Sequence, residues 1–454
     1  MTSAKIAVYQ PPTREVPMRS IPQKVEIDFT DEGISPSAGS IFLSRMASQL
    51  GLRKKLEKAL KLKQRKRGAS DTDTLLSVIF TLAQGDGKLV DVDRLRADEP
   101  RAQLLGLEEV PGSRRVGEYL ARFDKDAVDR LRNVAGELAG MVVREVAGHE
   151  EETKGFVPVF VDGTAIEVYG DYFEGARCGY NEQPQYWQHS VYVGRLWVSQ
   201  ELRPGGVGVT FGWRKQLEEV RPLLEGFEKV WVRLDNAYYS KGVVDWCRDS
   251  GWDFSISVTN ETYKLPLWEE VEALDHIDWS WINDDQTEEA ALIYHQPKGW
   301  RQAEAYVVVR SHWDGPQKLL TPRHTFILVS RTDLPLDELV RRHRGKQGQE
   351  NAQKGPLIEL DLHHPPCWRY QANRAFYTLG QIAQILLCAV QYNLLPVEAR
   401  EHGIRTVIRD LIRTAGRLVR HSRRWILRFA KTALRVDWLA FAADRLEALP
   451  LAPD

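Results

Sequence analysis

The sequence predicts an α/β fold with a mainly β insertion, flanked by helical regions at both ends. Three observations carry that prediction. Between Phe156 and Val258, short apolar, β-branched runs alternate with helical patterns, as in a sheet with some parallel pairing. Two β-rich runs follow, "AEAYVVVRSHW" and "HTFILVSRT". Helical periodicity fills residues 40–146 and returns from Pro335.

The bulk composition fits this reading. At 454 residues, 43% hydrophobic and 28% charged, the chain is long enough for two or three domains with a real core. No apolar run is long enough to cross a bilayer, because Gln381, Gln384, Gln391 and Asn393 interrupt the longest, Leu379 to Leu395. The expectation is a cytoplasmic protein without a membrane partner. Cys178, Cys247, Cys367 and Cys388 form no CxxC pair and read as reduced thiols. The net charge of -1 conceals basic runs at Arg53–Gly68 and Arg400–Lys431 and an acidic one at Trp268–Glu289. Separated basic patches suit a nucleic-acid partner even at zero net charge.

In chain order, residues 1–38 are proline-rich and predict a flexible arm. Residues 39–150 predict a helical DNA-binding domain. Its helices are "DTDTLLSVIFTL", capped by Asp71 or Thr72, "SRRVGEYLARF", with Ser113 as N-cap, and Lys125–Val146. Arg114, Arg115 and Arg122 would suit a helix-turn-helix, and equally a helical domain that never meets DNA. Residues 151–258 predict the first part of an α/β core. Its strands are Phe156–Val161, Ser190–Val198, Val230–Leu234 and Phe254–Val258, with helices at Arg214–Phe227 and Lys241–Asp249. Residues 259–330 form the insertion, 331–395 complete the core, and 396–454 read as a basic helical region.

Three carboxylates sit at telling places. Asp162 ends the run "VPVFVD", Asp235 ends "VWVRLD", and Glu350 lies in the helical pattern "VRRHRGKQGQENAQKGPL". Lys346, Glu350 and Lys354 fall at i, i+4 and i+8 and share a helix face, with His343 near it. Two strand-end aspartates and a helix glutamate can converge at one sheet edge. An oxygen-only set of this kind suits a pair of divalent cations, with coordination sites left for phosphate oxygens. The bland alternatives are turn residues and a surface ion pair.

The order Asp, Asp, Glu, with a β insertion before the Glu, resembles the DDE transposases. More narrowly, it is similar to the thirteen-eighty group of bacterial insertion-sequence transposases, within the cut-and-paste (IS-four-like) superfamily. The matching stretches are "VDGTAIEVYG", "LRPGG", "VRLDNAYYS", "RHRGKQGQEN" and "ANRAFYTLGQIAQILLCAVQYNLL", with "DVDRLRADEPRAQLLGL" and "GSRRVGEYLARF" before them. The resemblance spans roughly residues 70 to 430. It implies an RNase H-like catalytic core and a metal-binding, catalytic triad of Asp162, Asp235 and Glu350. It also implies two Mg²⁺ ions, with Mn²⁺ able to substitute. The activity implied is cleavage of transposon ends followed by joining to target DNA. The partners implied are double-stranded terminal inverted repeats, target DNA and a second copy of the chain in a synaptic homodimer. The setting implied is prokaryotic and nucleoid-associated. The family's helix motif carries Tyr, Arg, Glu and Lys. Here its Tyr position holds His343, its Arg position Lys346, and its Lys position Leu357, with Lys354 one turn earlier as a stand-in. His343, Arg344, Lys346 and Lys354 are therefore expected at DNA. "LRPGG" carries Gly206 where the group often has Asn.

A second expected DNA contact is Arg405, Arg409, Arg413, Arg417, Arg420 and Arg424, continued by Arg428 and Lys431. Their spacing of three or four would line them along one side of a continuous helix, with few acids nearby. "KLKQRKRG" divides evenly between a DNA grip and a solvated linker. "DLHHPPCWRY" has no fourth metal ligand and reads as a proline-stiffened loop. Trp252, Trp268, Trp279, Trp281, Trp300 and Trp313 include candidates for base stacking, with core packing favoured for most. Glu167 and Asp171 read as solvent-facing rather than as supports for Asp162. Gly163 would allow close approach of DNA. Two other enzymatic and non-enzymatic readings remain open at this point: a metal-dependent nuclease without strand transfer, and a non-catalytic transposase-derived DNA-binding protein.

Overall fold

The computed structural model describes residues 33–64, 67–170, 172–179, 182–258, 260–422 and 424–448; the side chains of 260–265 and 346–355 lie outside that description. The predicted arm lies outside it as far as Glu32. Asp171 lies outside it too.

A short strand, β1 (Ile34–Ser35), leads into seven helices: α1 (Ser40–Gln49), α2 (Leu52–Ala59), α3 (Asp71–Leu82), α4 (Asp91–Ala97), α5 (Glu99–Leu104), α6 (Ser113–Leu120) and α7 (Lys125–Lys154). Capping sets several of their starts. Ser70, one residue before the predicted cap, accepts from the Asp73 N–H at 2.9 Å. Asp124 accepts from the Ala127 N–H at 2.8 Å. Ser113 is the first helical residue instead of the cap, and its N–H and hydroxyl both bind Asp93, at 2.9 and 2.6 Å. α7 ends where Gly155 takes a left-handed φ of 74°, which costs an L side chain but not glycine.

The chain then builds a ten-stranded sheet. β2 (Val157–Glu167), β3 (Arg177–Cys178), β4 (Pro184–Val193) and β5 (Leu196–Arg203) precede helix α8 (Trp213–Val220). β6 (Val230–Leu234), α9 (Lys241–Asp249) and β7 (Asp253–Val258) follow. The insertion holds α10 (Asn260–Glu272), β8 (Ser280–Trp281), β9 (Glu288–His295), β10 (Glu304–Asp314) and β11 (Gln317–Val329). β5, β4 and β2 pair antiparallel, while β6 and β7 run parallel to β2. β11 pairs directly with β7, Phe326 opposite Val258, so the insertion extends the same sheet. The predicted strand Ser190–Val198 is in fact the turn of the β4–β5 hairpin, broken at Gly194, whose φ is 54°.

Two long helices cover the sheet: α11 (Leu336–Glu359) and α12 (Tyr370–Leu394). α12 is buried along nearly its whole length within the hydrophobic cluster that also holds α1–α3 and α7. The glutamines that interrupt its apolar run bind backbone across the packing interface, while Asn393 donates to Ala389 O of its own helix. Gln384 donates to Arg195 O at 2.7 Å and accepts from the Trp197 N–H at 3.0 Å; Gln391 donates to Ala399 O and His402 O at 2.7 and 2.8 Å. These hydrogen bonds offset the burial of the amides, except at Gln391 Oε1, which has no protein partner. Among the described residues no helix is long and apolar enough to cross a membrane. On the same sheet face, further along the sheet, Leu339 and Val340 of α11 pack on Trp231, Val307 and Ile327.

The C-terminal region differs from its predicted long basic helix. α13 (Ile404–Val407) runs into one π-turn at Ile408–Ile412, and the chain then forms a hairpin, β12 (Gly416–His421) and β13 (Arg424–Phe429), before α14 (Val436–Ala448). β1 pairs with the base of β12. The arginines from 405 to 424 therefore share no helix face. Arg409 binds its neighbour Asp410 at 2.5 and 2.8 Å, and Arg413 binds Asp86 at 2.6 Å.

Candidate active site

β2 does not stop at Asp162, as its sequence suggested, but continues to Glu167 as the partner of β4. What ends near Asp162 is the parallel pairing with β6, whose last registered pair is Phe160 with Arg233. Asp162 and Asp235 each lie two residues further on. Alternation puts both on the face that carries Phe160 and Arg233. Both are half-buried. Asp162 accepts from the Thr164 hydroxyl at 3.2 Å. Asp235 caps the short turn Asn236–Tyr238 by accepting from the Ala237 N–H at 2.9 Å. Capping explains why the apolar run of β6 stops on a carboxylate, and it fixes the direction of that side chain.

Beneath the two carboxylates lies a buried polar layer. The Tyr238 hydroxyl is 2.7 Å from Nε2 of His189. Burial raises the Tyr238 pKa well above the usual phenol value, and the charges of Asp162 and Asp235 add to that. One phenol thus feels both acids. Burial, with Arg203 nearby, pushes His189 down to about 3, so its imidazole is neutral. Arg233 is buried under α11, and burial pulls it down to about 10. A Cβ at Gly345 would come within 3.0 Å of its guanidinium, so glycine there lets the helix sit close. Sequence reading missed Arg233, Tyr238 and His189; the arginine inside the apolar run "VWVRLD" was the available signal.

α11 crosses this same face. His343, expected at DNA, is instead buried, with Nε2 2.9 Å from Ser257 Oγ and Nδ1 3.0 Å from Ser255 Oγ on β7. That is a packing role, and it corrects the expectation. Ser257 stands one residue past the registered pair Leu234–Ile256, at the level of Asp235. Residue 350 follows His343 by seven positions on the helix, two turns or roughly 10 Å further along the same side. Glu350, Lys346 and Lys354 lie on this helix with side chains outside the described residues. Arg344 forms a bidentate pair with Glu288, which holds that carboxyl below its usual range. Gly163 makes room for the chain itself, not for DNA: a Cβ there would lie 2.4 Å from Val209 Cγ2.

Of the remaining expectations, Trp252 is buried and Trp281 and Trp313 are exposed, at 48% and 38%. The Cys367 backbone and the Asn373 amide exchange two hydrogen bonds, at 2.6 and 3.0 Å, which close the proline loop. Lys63 and Arg67 line a cavity of about 1020 Å³ with Arg96, Arg115 and Arg122, far in sequence from the carboxylates. Among the described residues no three His, Cys, Asp or Glu side chains gather as a metal cluster.

The chain was compared with known proteins. No curated protein matches it. Among solved structures, a piggyBac transposase synaptic complex with hairpin DNA aligns at a TM-score of 0.41 and 9% identity, covering 90% of this chain and 80% of that one. A family model described as transposase DDE domain group 1 matches residues 19–451. With nearly its whole length under that model, the chain belongs to the DDE transposase domain group 1 family.

Proposed function

We propose that the protein is an insertion-sequence transposase of the thirteen-eighty type, which cleaves transposon ends and joins them to target DNA. The observation that carries the reading is the side-by-side placement of Asp162 and Asp235 on adjacent parallel strands, with α11 crossing the same face. The strand order β5–β4–β2–β6–β7, three antiparallel strands followed by two parallel to β2, supports an RNase H-like core.

The donor chemistry fits hard divalent cations. Both described donors are carboxylates, Asp162 within β2 and Asp235 directly after β6, and Glu350 on α11 would complete the set. Two Mg²⁺ ions, with Mn²⁺ able to substitute, would be held by Asp162, Asp235 and Glu350 and would supply Lewis-acid stabilisation of phosphoryl oxygens. The protein's own contribution is positional. The Asp235 cap and the β2–β4 pairing around Asp162 hold the carboxylates without large rearrangement. The neutral His189 and the un-ionised Tyr238 add no charge beneath them. No Ser or Tyr nucleophile is assigned, because water and then the freed 3′-OH attack the phosphate directly. Joining two ends calls for a dimer in the synaptic complex. The setting would be the prokaryotic cytoplasm, at the nucleoid.

The test is incubation of the protein with Mg²⁺, DNA bearing the element's terminal inverted repeats, and a target plasmid. Cut ends joined to the plasmid are expected. Cut ends that never join would replace this reading with a nuclease, and intact DNA with binding alone would replace it with a non-catalytic DNA-binding protein.

A further inference from the structure

The hairpin that replaces the predicted basic helix has two unlike faces. Its registered pairs are Arg417–Arg428, Leu418–Leu427, Val419–Ile426, Arg420–Trp425 and His421–Arg424. Alternation therefore puts Arg417, Val419, His421, Arg424, Ile426 and Arg428 on one face. Leu418, Arg420, Trp425, Leu427 and Phe429 take the other. This second face is turned to the protein at its base, through Leu418, Leu427 and Phe429, while Arg420 and Trp425 near the tip are exposed. Leu418 and Trp425 line a small cavity with Ile41, Ser44 and Ser48 of α1, and Phe429 packs on the main hydrophobic cluster. Arg420, expected at DNA, lies on this inner face with its guanidinium 5.7 Å from the Trp425 ring.

The first face points outward, with Arg417, His421, Arg424 and Arg428 exposed around Val419 and Ile426. The segment 416–429 contains no Asp or Glu. Among the described residues β1 pairs at Ile34–Arg417 and Ser35–Gly416, the Leu418 N–H donates to Gly33 O at 2.9 Å, and beyond that point the described hairpin is a two-stranded ribbon. It turns at Ser422, whose φ of 56° gives the tight reversal that two-residue hairpins need.

We propose that this outward ribbon face docks on duplex DNA, with Arg424 and Arg428 on backbone phosphates, Arg417 at the base and His421 at the tip. A two-stranded ribbon is one of the two shapes that the major groove, about 12 Å wide, admits. A cationic face whose own two strands carry no acid complements a phosphate backbone, and Arg matches phosphate geometry with its planar fork. The inference rests on the DNA-processing reading for its choice of partner. It replaces the helical stripe with a different residue set: His421 joins, and Arg405, Arg409, Arg413, Arg420 and Lys431 leave.

The experiment measures binding of the full chain to a duplex of unrelated sequence, in EDTA, across a salt series. EDTA uncouples this measurement from catalysis: absent strand transfer would sink the functional reading and leave this one standing. The double variant Arg424→Ala/Arg428→Ala should bind at least ~10-fold more weakly near ~0.1 M salt. Its slope of log K against log salt should be shallower by about 1.8, the value for two phosphate contacts. Arg424→Lys/Arg428→Lys should restore most of the slope, and an unchanged thermal midpoint would show that the ribbon still folds. Equal affinity and slope in the alanine variant and the parent overturn the proposal. So does a loss that the lysine variant shares. A preference for single strands over duplex, or binding of poly-glutamate as tight as that of duplex, overturns the choice of partner.

Discussion

Asp162 and Asp235 stand level on neighbouring parallel strands, each two residues beyond the registered pair Phe160–Arg233. Strand register alone sets this relationship. A slip of one residue in either strand would turn one carboxylate to the opposite face. The pairing is held by apolar residues on both strands, Val157 and Val159 against Val230 and Val232, all buried. The core therefore fixes the site.

The first prediction follows from that level placement. Asp162→Asn and Asp235→Asn keep the shape and remove the charge. Each should lower end cleavage by at least ~10²–10³-fold, the scale of losing one aimed electrostatic group, while duplex binding persists. Asp235→Asn keeps an oxygen able to accept from Ala237 N–H, so its fold should hold. Cleavage assays beside binding assays check this, and parent-like cleavage by either variant would remove that aspartate from the site.

His343 supplies the second prediction. Its ring lies between Ser255 and Ser257, and Ser255 also accepts from the Trp231 indole N–H at 3.1 Å. His343→Ala leaves buried hydroxyls short of a partner and opens space under α11. The expected loss is about 1–3 kcal/mol of stability, read from denaturant midpoints. DNA affinity of the folded fraction should not change. A variant of parental stability with weakened DNA affinity would return His343 to the DNA surface.

The parts of this structure that could be read from sequence are those where local signals and tertiary demands agree. β6 matches its predicted bounds, and α9 starts after the Ser240 cap, because apolar alternation and cap chemistry both mark them. Asp162 and Asp235 stood out because a carboxylate directly after a buried run is costly without a reason. The hairpin at Gly416–Phe429 was not. Its turn has no Gly, Pro or Asn, and its arginines happen to fall three and four apart, the helical period. The enrichment in Val419, Trp425, Ile426 and Phe429 was the opposing β signal. His343 was misplaced because a polar residue on a polar helix gives no sign that two serines await it on β7. Arg233 was hidden for a related reason: no local pattern reveals that a helix will cover it.

Gly163 supplies the third prediction. The Cβ of an alanine there would lie 2.4 Å from Val209 Cγ2 and 3.0 Å from Val209 O. The 204–212 loop must then move away from β2, next to Asp162. Gly163→Ala should cost about 1–3 kcal/mol, as overpacking does, and reduce cleavage by displacing the neighbouring carboxylate. Val209→Ala removes the nearer contact and should recover part of the stability in the double variant. Strict additivity of the two changes in a double-mutant cycle would show that this contact is not the cause.

His189 sets the fourth, through pH. Its folded pKa of about 3 lies below the ordinary value of 6.5, chiefly because burial disfavours the charged ring, with Arg203 adding to it. Between those two values the unfolded chain binds the proton and the folded chain does not. Stability from this residue is therefore complete above pH 6.5 and falls as the pH drops toward 3, with a slope approaching ~1.4 kcal/mol per pH unit. His189→Gln removes the titrating group and keeps a polar side chain near the Tyr238 hydroxyl. Its denaturant midpoint should be lower than the parent's at pH 7, and the gap should close between pH 6 and pH 4 as the parent loses stability faster. Parallel pH profiles for the two proteins would mean that His189 binds its proton in the folded chain as it does in the unfolded one, and the buried layer around Asp162 and Asp235 would then gain a second positive charge beside Arg233 as the pH falls through that range.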